Sequence, residues 1–169
     1  MYFNTLEYFL FFVATLLLVR YASKPAIVLL AASGFFYVVA SWFDTALIVC
    51  LVAANWLLIR WVASRKTRVV LAVIFNIGVL VAIKYRVFLS SGMGFDHTTF
   101  IDTVLPLGIS FYTFQILAYQ IDLTRDPKLG ERNVGPFALF IMFFPQLIAG
   151  PIVRARQLMP QIQRMFDGK

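Results

Sequence analysis

Five residues in the stretch "GISFYTFQILAYQID" form a pattern that could do chemistry. Gly108, Tyr112, Gln115, Tyr119 and Asp122 recur at steps of four, three, four and three. At about 100° per residue they share an arc roughly 80° wide on one face of a helix. Phenols, an amide and a carboxylate on such a face suit two tasks. They can line a polar channel or substrate tunnel, because polar groups at membrane depth face a bundle interior or a water-filled cavity. They can also serve as hydrogen bonds between helices, each contributing about 0.6 kcal/mol on average and occasionally 1 to 2. Ser110, Thr113 and Gln120 lie on a second face, so this helix is expected to pack on several sides.

A second pattern is "FFPQLIAGPIVR", Phe143 to Arg154, with Pro145, Gln146, Gly150, Pro151 and Arg154 set in an apolar run. A proline inside a helix removes a backbone donor and clashes with the preceding turn. Two of them around a glycine predict a buried kink or re-entrant turn over 145–151, since broken backbone survives in lipid only when buried in protein or lining a cavity. Beyond it, "VRARQLMPQIQRMF" sets Ile152, Val153, Leu158, Ile162 and Phe166 among Arg154, Arg156, Gln157 and Arg164. That is an interrupted amphipathic stretch, suited to lie on the membrane interface apolar side down or to rim a tunnel mouth with arginines.

The only histidine, His97, stands beside Asp96 in "GFDHTTF". The pair could be imagined as a base and its orienting carboxylate, but neighbours in a loop rarely face each other, and the plain reading is a loop histidine. With one Cys and one His, no internal disulfide and no Cys/His metal cluster can be assembled, and any metal site would have to rest on carboxylates. Cys50, inside an apolar stretch, reads as a buried thiol. No catalytic residue and no metal ligand is assigned.

The elements that must carry these residues follow from composition. Apolar residues make up 61% of the 169 and charged residues 14%, against roughly 45–50% and 25% in soluble domains, so the chain reads as an all-α integral membrane protein. Six segments qualify as transmembrane or re-entrant helices: Tyr2 to Val19, Ala26 to Phe43, Thr45 to Val62, Val69 to Leu89, Val104 to Leu123 and Phe137 to Val153. They divide the chain into four amino-terminal helices (1–89), a polar loop (90–103) and a motif-bearing part with its tail (104–169).

Asn4 and Glu7 weaken the start of the first span, while Asn55 and Asn76 read as packing amides in the third and fourth. Trp42, Trp56, Trp61 and Tyr85 read as interfacial anchors, and Lys84 and Arg86 as snorkelling cations. The net charge of +7 sits in short clusters between apolar runs instead of one stripe, which argues for topology signals and against nucleic acid. Arg20, Lys24, Arg60, Arg65, Lys66 and Arg68 follow the first and third spans, whereas no Lys or Arg precedes the first. The amino terminus is therefore expected outside, and a cleaved signal peptide is not indicated.

"LPLGISFYTFQILAYQIDLTR" (Leu105 to Arg125), followed after a charged loop by "FALFIMFFPQLIAGPIVR" (Phe137 to Arg154), closely resembles a stretch of the membrane-bound O-acyltransferases. The similarity is greatest to the bacterial branch of alginate O-acetylases and D-alanyl transfer proteins, and "MYFNTLEYFLFF" resembles that branch too. It covers essentially this whole chain but only the opening third or so of a family member. The resemblance implies the amino-terminal part of a helical ring around a tunnel in the bacterial inner membrane. An acyl donor, acetyl-CoA or an acyl carrier, would pass its acyl group to hydroxyls of an extracytoplasmic polysaccharide such as alginate. Tyr112, Gln115, Tyr119, Asp122, Pro145, Gln146, Gly150, Pro151 and Arg154 then become tunnel or scaffold residues.

The family's catalytic histidine would lie beyond residue 169, so the isolated chain is expected to be inactive and to need the remaining part of the enzyme or another membrane subunit. Without such cover, Gln115 and Asp122 would face lipid, leaving the chain poorly stable or self-associating. The alternative is a small membrane subunit or transporter-like module that performs no chemistry.

Overall fold

The structure, a computed structural model, describes residues 5–85, 106–129, 133–146 and 153–168. Asn4, Arg86, the loop 90–103 with Asp96 and His97, and Gly150, Pro151 and Ile152 lie outside the described residues. Within them every regular element is helical. The helices are α1 (Leu6–Tyr21), α2 (Pro25–Ala40), α3 (Trp42–Trp61), α4 (Arg65–Lys84), α5 (Ile109–Arg125), α6 (Val134–Met142) and α7 (Ala155–Asp167), with a 3-10 turn at Pro127–Leu129.

Local chemistry sets several boundaries. Thr5 Oγ1 accepts from Tyr8 N at 3.4 Å ahead of α1, and Pro25, whose missing N–H costs nothing there, opens α2. Ser41 alone separates α2 from α3; its Oγ accepts from Asp44 N at 3.3 Å and so caps the new helix. Ser64 does the same for α4 through Thr67 N.

The first four helices run as successive hairpins, α1 on α2, α2 on α3 and α3 on α4, and α5 lies along α4. The short α6 is the hub, touching α2, α3, α5 and α7; its Phe137, Leu139, Phe140 and Ile141 are at most 1% exposed. This topology gathers Arg20, Lys24, Arg60, Arg65, Lys66 and Arg125 at one end of the bundle, where α1, α3 and α5 finish and α2 and α4 begin.

Polarity is distributed inside out. Asn55, Asn76, Gln115 and Gln120 are fully buried, while Leu17, Phe43, Trp42, Trp61 and Ile74 stand exposed. Among the described residues α3 and α4 are long and apolar enough to cross a membrane, and α2 is a shorter apolar helix. Trp42 and Trp61, each more than three-quarters exposed, mark the two ends of α3, about 28 Å apart along its axis. That separation is close to the thickness of a bilayer's hydrocarbon core, where tryptophan belts form.

Two expectations are corrected. Cys50 is exposed, because the buried seam of α3 runs through Asp44, Ile48, Leu51, Val52 and Asn55 and position 50 falls outside it. The tail, α7, does not spend its apolar side on an interface. Ala155, Met159 and Ile162 are buried, in a helix that packs on α6 and α2.

One polar joint pins α3 to α4. Asn55 Nδ2 donates to Asn76 Oδ1 at 3.0 Å and Asn76 Nδ2 to Asn55 Oδ1 at 2.8 Å. Each amide gives its other hydrogen to the carbonyl four residues back, Leu51 at 2.9 Å and Ala72 at 2.7 Å. Replacing either asparagine leaves the other half-satisfied, whereas replacing both removes the demand. A double-mutant cycle of Asn55→Leu and Asn76→Leu, followed by unfolding in detergent, should show coupling of about 0.6 to 2 kcal/mol. Strictly additive effects would show that the pair contributes nothing as a pair.

Candidate functional site: the α5 seam and the broken helix

The stripe read from the sequence turns inward. Tyr112, Gln115, Tyr119 and Asp122 are 1%, 0%, 1% and 9% exposed. Thr113 and Gln120 are buried too, leaving Phe114, Ile121 and Arg125 as the exposed face of α5. The expectation that Gln115 and Asp122 face lipid is thereby overturned, because other helices of this same chain pack over them.

The helix is launched by a tight turn. Gly108 is its N-cap in the left-handed region, φ 72°, a conformation that costs a residue with a Cβ roughly 1–2 kcal/mol. Just before it, Leu107 N donates to Asp44 Oδ2 at 2.9 Å, which ties the start of α5 to the start of α3. Near that carboxylate lie the phenols of Tyr37 and Tyr112, both within electrostatic range of Asp44. Among the described residues neither phenol oxygen has a hydrogen-bond partner.

In the middle of the stripe sits the break. α6 ends at Met142, and Phe143 to Pro145 form a turn in which Gln146 N bonds Phe143 O at 3.1 Å. In an unbroken helix Phe144 N would serve Phe140 O, and residue 145 would serve Ile141 O; proline cannot. Side chains take over. Gln115 Nε2 donates to Phe140 O at 2.6 Å, and Phe144 N donates to Ser33 Oγ of α2 at 3.4 Å. Gln115 Nε2 also reaches Gln146 Oε1 at 3.2 Å, while Gln115 Oε1 and Gln146 Nε2 have no partner among the described residues.

Phe144 closes the break from the outside. It is fully buried among Tyr8, Phe11 and Phe12 of α1 and Phe36 of α2, with ring centroids between 5.1 and 6.3 Å away. Further along, Tyr119 OH donates to Leu129 O at 2.8 Å, fastening the 3-10 turn, and its ring packs on Phe137 and Phe140.

Thus Gln115, Gln146 and Tyr119 are brought together around α6, and Tyr112 lies toward the Asp44 end. Asp122 is buried nearer the other end of α5, and Pro145 is half-buried in the turn. Arg154 is exposed at the N-cap of α7. Ser33, Asp44 and Tyr37 belong to this constellation and were missed, being single polar residues in otherwise apolar stretches. Among the described residues no three His, Cys, Asp or Glu side chains come together as a metal site.

Comparison with known proteins gives relatives of one kind. A probable alginate O-acetylase of Azotobacter vinelandii is 32% identical over 174 aligned positions, covering 90% of this chain and 34% of that protein. A probable alginate O-acetylase of Pseudomonas syringae is 42% identical over 71 residues, 42% of this chain and 14% of that one. A peptidoglycan O-acetyltransferase of Helicobacter pylori is 32% identical over 128 residues, 60% of this chain and 24% of that one. The chain thus spans about a third or less of the length of these relatives. No family model and no solved structure matches it.

If Gln115 is the donor that satisfies the break, Gln115→Leu leaves the carbonyl of Phe140 and the Gln146 amide oxygen unserved. The variant should lose about 1–3 kcal/mol of stability in thermal or denaturant unfolding in detergent, more than Phe114→Leu on the exposed face. Equal losses for the two would remove Gln115 from that role.

Proposed function

This chain belongs to the membrane-bound O-acyltransferase family, and from that premise we propose that it is part of an enzyme acylating an extracytoplasmic polysaccharide. The acyl group is acetyl by its kinship, and the acceptor hydroxyls belong to a polymer such as alginate or peptidoglycan. The observation that carries this reading is the junction at Gln115. The described parts of the two motifs of the resemblance, 106–125 and 137–146, pack together, and the amide of the first completes the broken backbone of the second.

Within such an enzyme these residues shape and support the reaction chamber. Gln115 and Ser33 hold the break rigid, and Tyr119 fastens the turn that precedes α6. Tyr112, Gln146 and Asp122 present polar groups toward the interior of the ring, with Gly150, Pro151 and Arg154 continuing the same segment. The bundle lies in the bacterial inner membrane with six crossing or re-entrant segments, its cationic end in the cytoplasm and its amino terminus outside. An acyl donor that carries phosphate, acetyl-CoA or the prosthetic arm of an acyl carrier, would approach that cationic end. The acceptor would approach the opposite one. The activating base is supplied by another section of the enzyme.

Two outcomes test this. Deleting the gene in its source bacterium should strip base-labile acetate from the cell's polysaccharide, and re-expression should restore it; unchanged ester content would sink the reading. For topology, a Cys50→Ala chain carrying Trp42→Cys should react with a membrane-impermeant thiol reagent in intact cells. One carrying Ala63→Cys should react only after permeabilisation, and the reverse pattern would invert the orientation.

A further inference from the structure

We propose that the groove between α4 and α5 seats an anionic phospholipid from the leaflet at the cationic end, a reading that rests on the membrane placement above. The groove holds about 630 Å³ and is lined by Arg65, Lys66, Val69, Val70, Ile121 and Thr124, within the roughly 300–1,000 Å³ of ligand pockets. Its composition is that of an amphiphile's complement. Two cations line it together with two valines and an isoleucine. Val70 and Ile121 are 55% and 42% exposed, so the groove opens sideways, toward lipid.

The polar groups are already arranged for a headgroup. Arg65 Nη1 bonds Thr124 O at 3.4 Å, which draws its guanidinium across to α5. The Thr124 hydroxyl donates to Ile121 O at 2.7 Å, so its proton is engaged within its own helix. Lys66 remains as a second positive charge beside the first.

A separate observation also asks for an anion. The first turn of α4 carries Arg65, Lys66 and Arg68 and no acid, at the helix end whose dipole repels cations. Arg68 is 8% exposed, its Nε has no hydrogen-bond partner, and it feels the like charge of Arg65. A phosphate in the groove, beside Arg65 and Lys66, offsets the like charges gathered at this turn, since basic pockets between membrane helices on the cytoplasmic side bind anionic lipid headgroups. A free phosphate would satisfy the charges but leave the apolar walls unused. A phospholipid uses both.

The test is native mass spectrometry of the full chain in detergent, titrated with phosphatidylglycerol and phosphatidylcholine. Phosphatidylglycerol should bind preferentially, and Arg65→Gln/Lys66→Gln should weaken it by roughly 30-fold. Val70→Trp, which fills the groove and leaves both cations in place, should also lose the lipid; unchanged helix content by circular dichroism shows that either variant is folded. Equal binding of the two lipids, retention of phosphatidylglycerol by both folded variants, or its displacement by millimolar inorganic phosphate or by acetyl-CoA would overturn the proposal. A chain released from membranes by carbonate would fail the membrane placement and the lipid seat together. A chain that stays embedded yet shows no lipid preference would fail the lipid seat alone.

Discussion

A helix that breaks inside an apolar bundle must find partners for the backbone groups it frees, and the arrangement of this molecule depends on how that is done at Phe143–Gln146. Without water each unpaired group costs several kcal/mol. Two side chains from two other helices answer the demand: Gln115 of α5 reaches Phe140 O, and Ser33 of α2 reaches Phe144 N. The position of α6 is thereby set relative to α2 and α5 by hydrogen bonds, which are directional in a way that apolar contact is not. The aromatic side chains of α1 and α2 then enclose Phe144, so the outermost helix is held chiefly by what it covers.

The other buried polar groups repeat that logic. Asn55 and Asn76 satisfy each other across α3 and α4, Asp44 receives the backbone at the start of α5, and Tyr119 gives its proton to Leu129 O. Each bond crosses between elements that apolar side chains alone could slide past one another. In the membrane placement proposed above the solvent would be as apolar as the side chains, so packing and such bonds, more than water exclusion, would specify the register of the helices.

How much of this was legible follows from which signals are local. The inward stripe of α5 was readable because a step of four and three residues reports a helix face without knowledge of any neighbour. A break at Pro145 was readable too, since proline lacks a donor whatever surrounds it, although most of the expected turn over 145–151 lies outside the described residues and the helix ends earlier, at Met142. Partners were not readable. Nothing in the spacing says that Asn55 meets Asn76 or that Ser33 serves Phe144, because those pairs depend on how hairpins are laid side by side. The same gap explains the errors. Gln115 and Asp122 were expected to meet lipid because the cover that neighbouring helices provide for α5 cannot be seen in α5. Cys50 and the tail were misplaced because an apolar residue in a lipid-facing fold can point either way, and an amphipathic face can be met by protein as well as by headgroups. Helix ends moved by several residues, since Ser41, Ser64 and Gly108 cap where hydropathy alone shows no edge.

The residual polarity of the interior bears on what the bundle is for. Tyr37 and Tyr112 keep unpartnered hydroxyls near Asp44, and Gln115 and Gln146 keep an unpartnered oxygen and nitrogen at the break. A buried group of that kind costs about 1–3 kcal/mol unless something arrives to pair with it, and phenylalanine or leucine at the same places would avoid the cost. A bundle shaped only for stability has no use for them. In the proposed reading, where the chain is part of a ring that holds a polar acceptor and an acyl donor, water, substrate or another section of that ring would supply the missing partners, and these groups would line its interior.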